Sequence, residues 1–459
     1  MTTTVHRFAP RHLVCGFVSP YQVMQAGTLR LVKGRGIYVW DQHGRRYIDG
    51  LASLWNVAIG HGQPSIPRAV ARQMQTIAYA PTLLGFSSQP AEELARRLVR
   101  LAPRGLTRVL FTSGGSEANE SIIRLVRLYW RLKGHPEKYR IVTLNRGYHG
   151  SSTGAASLTG LPYFHEYYEP LLDGVLRLPR PHCNRCELRL EFPQCGLACA
   201  DELERLIERE GARSIGAVLA EPVQGVGGVI VPPDGYHQRL REICSRHNIL
   251  LAYDEVITGF GRLGYPFGIQ RWRVVPDLIS FAKGVTSGYL PLGGVLLREE
   301  IYRTLVEAGP EFSLHHGFTY SGHPTVCAAA LANLNLMRRR RLMSRARRLE
   351  PYFNELLQQL QRHPVVREVR AVGLMAAVEF HEHATHLGAG QWPFAVRVRQ
   401  ACLDRGLIVR ASGEVIAVCP PLIIKPAELR TLVELLDQAI AAVSAEASRT
   451  TPSASRANG

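Results

Sequence analysis

Residues 249–264 read ILLAYDEVITGFGRLG, and residues 278–284 read LISFAKG. Each begins as a short apolar run and ends in an ionisable group. Ile249 to Tyr253 leads into Asp254, and Leu278 to Phe281 leads, one residue on, into Lys283. Apolar runs of this length, without alternation, suit strands buried on both faces. Working outward, Val109–Phe111 runs into Thr112-Ser113-Gly114-Gly115-Ser116, and Ile215–Ala220 runs into Glu221. Ile141–Leu144 and Gly293–Leu297 are further runs. Between them lie helical patterns, among them Ser116 to Lys133, which places Ala118, Ile122, Leu125, Val126 and Tyr129 on one face. Strands alternating with helices predict an α/β domain with a mostly parallel sheet. In such sheets ligands bind outside the carboxyl ends of the strands. A glycine-rich turn, two carboxylates and a lysine are therefore expected on one rim.

The rest of the chain divides around this core. Residues 1–64 form an N-terminal segment, with a strand over Gly36–Trp40, a turn at Asp41–Gly44 and a returning strand at Arg45–Ile48. It is expected to pack with the C-terminal domain. Residues 65–325 form the large domain. Residues 326–447 form a smaller α+β domain, with a strand over Val372–Phe380 and a helix from Pro426 to about Val443. The stretch SAEASRTTPSASRANG, opening at Ser444, has no apolar period and is expected to be disordered, 448–459 as a tail.

Composition sets bounds. The chain has 459 residues, enough for two or three domains. Lys and Arg number 55 against 38 Asp and Glu, a formal charge of +17. Nucleic-acid binding would need a basic stripe with interleaved aromatics, and none is present. The densest cluster, Arg338 to Arg341 with Arg345, Arg347 and Arg348, reads as a solvated helix face. No run of about eighteen apolar residues predicts a membrane span. No secretory signal opens the chain, and nine cysteines, an odd number, suit a reduced cytoplasmic protein.

The rim residues suggest a chemistry. Gly114 and Gly115 allow close backbone approach, and Ser116 opens a helix whose free N–H groups suit a phosphate. A lysine amine in surroundings that favour its neutral form is a nucleophile toward carbonyls. A carboxylate beside it can hold a proton on a pyridine nitrogen.

Six segments then appear in order: FTSGGSEANESIIRL (111–125), YHGSSTGAASLTG (148–160), AVLAEPVQGVGG (217–228), LLAYDEVITGFGRLG (250–264), LISFAKGVTSGYLPLGGV (278–295) and HGFTYSGHPTVCAAAL (316–331). Together they resemble the class III aminotransferases, pyridoxal-phosphate enzymes of fold type I. The resemblance runs from the Asp41 turn to Pro420-Pro421-Leu422. It implies that Lys283 carries pyridoxal 5'-phosphate as a Schiff base and that Asp254 binds the pyridine nitrogen. Val256 and Tyr148 would cover the two ring faces. Gly115 and Ser116 would bind phosphate, with Ser113 a further ligand, since many relatives carry serine where this chain has Gly114. Glu221 would edge the substrate pocket. Thr319 would reach the phosphate from a neighbouring subunit, which implies a homodimer, with pairing into tetramers left open.

Glutamate-using relatives commonly place an arginine in the strand before Pro-Pro-Leu, where this chain has valine in Val415–Leu422. GLIVRASGEV instead offers Arg410 on the preceding loop, and LASLWNVAIG offers Trp55. Both resemble the amine–pyruvate branch, in which a mobile arginine holds the keto-acid carboxylate. Trp55 would wall the substrate pocket, against the alternative of a core tryptophan, and Leu84, Gly85 and Phe86 would set its size. The expected reaction is ping-pong transfer from a primary amine or ω-amino acid to a keto acid, pyruvate above 2-oxoglutarate. A same-fold aminomutase, racemase or decarboxylase is the alternative. The insertion at 182–199 carries Cys183, Cys186, Cys195 and Cys199. That spacing could hold zinc, but packed, free or disulfide-paired cysteines are the preferred reading, and transamination needs no metal.

Overall fold

The structure, a computed structural model, describes residues 7–10, 12–381 and 392–450. Its centre is a seven-stranded sheet. The strands lie in the order Leu106–Thr112, Gly293–Arg298, Leu278–Phe281, Leu250–Asp254, Ile215–Ala220, Arg140–Leu144 and Val175–Leu178. The last five are mutually parallel. Gly293–Arg298 runs antiparallel to both its neighbours, so Leu106–Thr112 points the same way as the five. Hence Thr112, Ala220, Asp254 and Phe281 end their strands on one rim, as the polar termini of those runs predict. Ile215–Ala220, Leu250–Asp254 and Leu278–Phe281 are buried at every residue, which explains their unbroken apolar character. Fully buried Tyr253 and Phe281 each contribute roughly 2 kcal/mol of transfer free energy.

The helix Gly115–Leu132 lies on this sheet. It buries Ala118, Ile122, Leu125, Val126 and Tyr129 as its period predicts, and Asn119 besides.

A second sheet, wholly antiparallel, lies in the C-terminal part: Val366–Val372, Met375–Phe380, Val415–Val418 and Arg410–Ser412. The single strand expected over Val372–Phe380 is thus the strand Met375–Phe380, the hairpin turn before it and the last residue of its partner Val366–Val372. Its turn holds Gly373 at φ +58, where a Cβ would lie 2.4 Å from the Arg262 carbonyl oxygen. The N-terminal strands Leu31–Arg35, Tyr38–Asp41 and Arg46–Asp49 are completed by Leu407–Ile408, which pairs parallel to Arg46–Asp49. That pairing joins the first 50 residues to the C-terminal part.

The final helix, Pro426–Thr450, outruns the expected end near Val443. Residues 444–450 are therefore helical rather than disordered, and 451–459 lie outside the described residues. The arginine cluster is not one helix face. Arg338 and Arg339 close the helix Pro324–Arg339, Arg340 and Arg341 form the turn, and Arg345 donates to the Ile424 carbonyl (2.7 Å) from the next helix. Among the described residues no helix is long and apolar enough to cross a membrane.

Candidate active site

Asp254 closes its strand 4% exposed. A carboxylate at that depth needs donors, and it has three. Its Oδ2 accepts from Asn119 Nδ2 (2.7 Å) and faces His149 Nδ1 (2.9 Å), and Oδ1 accepts from the Val256 backbone N–H (3.0 Å). Asn119 Nδ2 also donates to the His149 carbonyl (2.7 Å), so the two residues brace each other around the carboxylate. Neither is among the residues that the motif resemblance assigns. A signal existed for Asn119: it is a polar residue on the buried face of an amphipathic helix.

Lys283 follows Phe281 by one residue and opens a tight turn at φ +44. A non-glycine residue held there is strained, and strain of this kind gathers at functional sites. Burial pushes its ammonium below the ordinary lysine range, Asp254 and Glu221 oppose that push, and Arg410 adds to it. Glu221 directly follows the strand Ile215–Ala220, and its Oε1 accepts from the Tyr148 N–H (3.0 Å) and its Oε2 from the Gly225 N–H (2.9 Å). Burial, then the charge of Asp254, lifts its carboxyl to about 8.

The glycine turn lies across from these groups. Gly114 is extended and caps the helix Gly115–Leu132. A Cβ on Gly115 would lie 3.0 Å from both methyl groups of Val256. Ser116 Oγ accepts from the Ser151 N–H (3.1 Å), and Gly150 passes it so closely that a Cβ there would be 2.6 Å away. An 18-residue helix presenting its N-terminus, a serine hydroxyl and bare backbone makes a cradle for an anion.

One cavity of about 420 Å³ brings these together. Its walls include Ser113, Gly115, Ser116, Tyr148, Glu221, Asp254, Val256 and Lys283, with Asn119, His149 and Asn56 added by the tertiary structure. Pyridoxal phosphate fits this set. Lys283 supplies an amine biased toward neutrality, Asp254 a buried acceptor for a protonated ring nitrogen, and the Gly114–Ser116 turn a phosphate cradle.

The predicted residues Thr319, Leu84, Gly85, Phe86, Trp55 and Arg410 lie off the cavity wall of their own chain. Thr319 is exposed, with its carbonyl accepting from Tyr79 Oη (2.7 Å). Leu84 and Phe86 are 92% and 64% exposed, and their loop is tied to the same turn by Thr82 Oγ1, which donates to the Ser321 carbonyl (2.9 Å). Trp55 is 2% exposed, its indole N–H unpartnered, in a cluster with Ile257 and Tyr148, which themselves line the cavity. Arg410 is not on a loop but begins the strand Arg410–Ser412. It is half-buried, and among the described residues its side chain makes no hydrogen bond or ion pair.

The four insertion cysteines are free thiols. Burial raises Cys199 to about 12, helped by the charges of the other three. Among the described residues, the grouping of ligand atoms close enough for a metal is His182, Glu368 and Glu379. A cation already lies there: Arg370 Nη1 donates to Glu379 (2.6 Å) and to Glu368.

Comparison with known proteins shows the family. The family profile described as "Aminotransferase class-III" matches residues 21–440. The chain is 38% identical to the putrescine–pyruvate aminotransferase of Pseudomonas aeruginosa over 443 residues, covering 94% of this chain and 95% of that one. It is 38% identical to the omega-aminotransferase of Caulobacter vibrioides, over 90% of this chain and 93% of the other. Among solved structures, an (S)-enantioselective omega-transaminase from Thermomicrobium roseum superposes with a TM-score of 0.90 at 42% identity, covering 94% and 96% of the two chains. The omega transaminase of Pseudomonas jessenii in complex with PMP gives 0.92 at 32% identity, covering 96% and 98%.

Proposed function

The chain belongs to the class III aminotransferases, pyridoxal-phosphate-dependent enzymes, and from that premise we propose that it moves an amino group from a primary amine or ω-amino acid to pyruvate by a ping-pong exchange. One observation carries the choice of substrates. Among the described residues, Lys283 is the only lysine or arginine on the cavity wall, so an amine donor meets no fixed partner for a second carboxylate. Arg410 stands outside the wall, without an ion pair, close enough for its charge to act on Lys283. An unpaired guanidinium in that place suits a keto-acid carboxylate, which it can grip through two N–H groups.

The bound cofactor supplies a carbonyl that condenses with amines and a ring that stores an electron pair. Lys283 Nζ would hold the cofactor through an imine and, once free, would serve as the base that takes the proton from the donor's amine-bearing carbon. Its lowered affinity for protons suits it to that task. Asp254, fixed by Asn119 and His149, keeps the ring nitrogen protonated. Val256 and Tyr148 hold the ring plane, and the Gly115–Ser116 turn with Ser113 holds the phosphate. Glu221 fixes the Tyr148 backbone at the pocket edge.

The working unit is a homodimer. Exposed Thr319, Leu84 and Phe86 form one tied surface and would complete the partner's site. Nine free cysteines support a reducing, cytoplasmic setting.

The test converts purified enzyme to the pyridoxamine form with excess amine and removes that amine. Pyruvate or 2-oxoglutarate is then added while the cofactor's visible absorbance is followed. Recovery with pyruvate at low concentration is expected. Recovery mainly with 2-oxoglutarate would overturn the choice of acceptor and the role of Arg410.

A further inference from the structure

Arg410 begins a three-residue strand at the edge of its sheet, paired on one side only, through Ala417, Ile416 and Val415. A short edge strand is weakly fixed by its own ladder, so its position depends on what holds the hairpin turn. That turn is Gly413-Glu414, and what faces it is the cysteine-bearing insertion. Arg185 Nη1 lies 3.9 Å from Glu414 Oε2 and 3.1 Å from Glu379 Oε1 on the adjoining strand. The insertion is itself anchored to the same sheet. Arg367 Nη2 donates to the Asn184 carbonyl (3.1 Å), and His182 Nε2 lies 3.0 Å from Glu368 Oε2.

Arg370 extends the network toward the active site. Buried to 8% exposure, it joins Glu379 and Glu368 and donates to the carbonyls of Gly228 (2.7 Å) and Val229 (3.2 Å). The same loop accepts a hydrogen bond from Ser412 Oγ at Val226 (3.4 Å) and donates from Gly225 N–H to Glu221 (2.9 Å). The hairpin that carries Arg410 is thus held on one side by the Glu221 loop and at its turn by the insertion. Buried charge networks of this kind fix geometry more than they add stability.

We infer that Arg185, paired with Glu414 and Glu379, is a positioning residue that sets the reach of Arg410 toward a keto-acid carboxylate. This rests on the reading of Arg410 given above. It gives the insertion at 182–199 a function: its tight turn Cys183–Arg185 presents Arg185 to the hairpin.

The test separates the two half-reactions of the holoenzyme in Arg185→Met, Arg185→Lys, Glu414→Gln and, as control, Arg410→Met. In Arg185→Met the pyruvate concentration giving half-maximal rate should rise about 3- to 10-fold, the range of couplings carried through such networks. Glu414→Gln should move it the same way by less, and Arg185→Lys should retain most of the wild-type value. The amine half-reaction and amination of propanal, which has no carboxylate, should stay within about twofold of wild type. Calorimetric binding of propionate, a carboxylate that cannot react, should weaken with the pyruvate value. If Arg410→Met raises the pyruvate requirement while Arg185→Met and Glu414→Gln do not, the positioning role is wrong. If Arg185→Met slows both half-reactions and propanal alike, the residue is merely structural and the inference fails. If Arg410→Met itself has no effect, the reading beneath it fails, and the inference with it.

Discussion

Lys283 and the carboxylates around it show how position changes the chemistry of ordinary side chains. Asp254 meets three donors, whereas Glu221 meets two backbone N–H groups, and burial with the charge of Asp254 lifts the Glu221 carboxyl to about 8. Its ordinary value is 4.5, so between about 4.5 and about 8 the folded protein binds a proton that the unfolded chain does not. Stability of the cofactor-free protein therefore falls as pH rises through that window. Glu221→Gln should flatten this part of a denaturant-midpoint profile, and an unchanged slope would show that Glu221 is not the group responsible. Lys283→Ala should lower transamination by about a thousandfold or more, as expected when a general base is removed, and abolish the absorbance of covalently held cofactor. The His149 ring meets Asp254 through Nδ1 (2.9 Å). His149→Ala should weaken cofactor retention and shift the visible band's pH dependence, with a small effect on melting temperature.

At the scale of elements, a strained turn leads into the pocket wall. Ala52, Ser53 and Trp55 all hold positive φ, with Ser53 at φ 58, ψ −82. Such residues cost about 1–3 kcal/mol each and persist only where neighbours fix them. Asp49 does so here: it accepts from the Ser53 N–H (2.7 Å) and hydroxyl (3.0 Å), and its other neighbour is His61 Nε2 (2.9 Å). Ser53→Gly relieves the backbone but loses the hydroxyl contact. It should change unfolding free energy by less than about 1 kcal/mol, whereas Asp49→Ala, which leaves the strain without support, should cost about 2 kcal/mol or more. Chemical denaturation of the two variants measures both. The glycine turn obeys the opposite rule, since space rather than strain is the constraint. Gly115 has Val256 at contact distance, so any side chain there displaces a wall of the cofactor cavity.

At the scale of the whole molecule, the exposed patch of Leu84, Phe86 and Tyr320 beside Thr319 argues for a second copy. Sedimentation should show a dimer at micromolar concentration. Mixing Lys283→Ala with Thr319→Ala after reversible dissociation should restore activity. Each mixed dimer would then hold one site with both residues intact, and absence of any recovery would argue that Thr319 serves its own chain's site.

Much of this was legible in the chain itself. The unbroken apolar runs ending in Asp254, Glu221 and Lys283 determined a buried parallel sheet with its chemistry on one rim, because strands covered on both faces must be apolar and must expose function at their ends. The ordered motifs determined the cofactor and the family. The direction of Gly293–Arg298 was not legible, since side-chain period is the same for parallel and antiparallel strands. Nor was the split of Val372–Phe380 into a hairpin, because Gly373 signals a turn only when its φ and its contact with Arg262 are seen. His149 and Asn119 converge on Asp254 from residues 30 apart in sequence, and Arg185 meets Glu414 across more than 200. Only the tertiary structure decides such meetings, because hydrogen bonds and ion pairs depend on distances between side chains that no local pattern specifies.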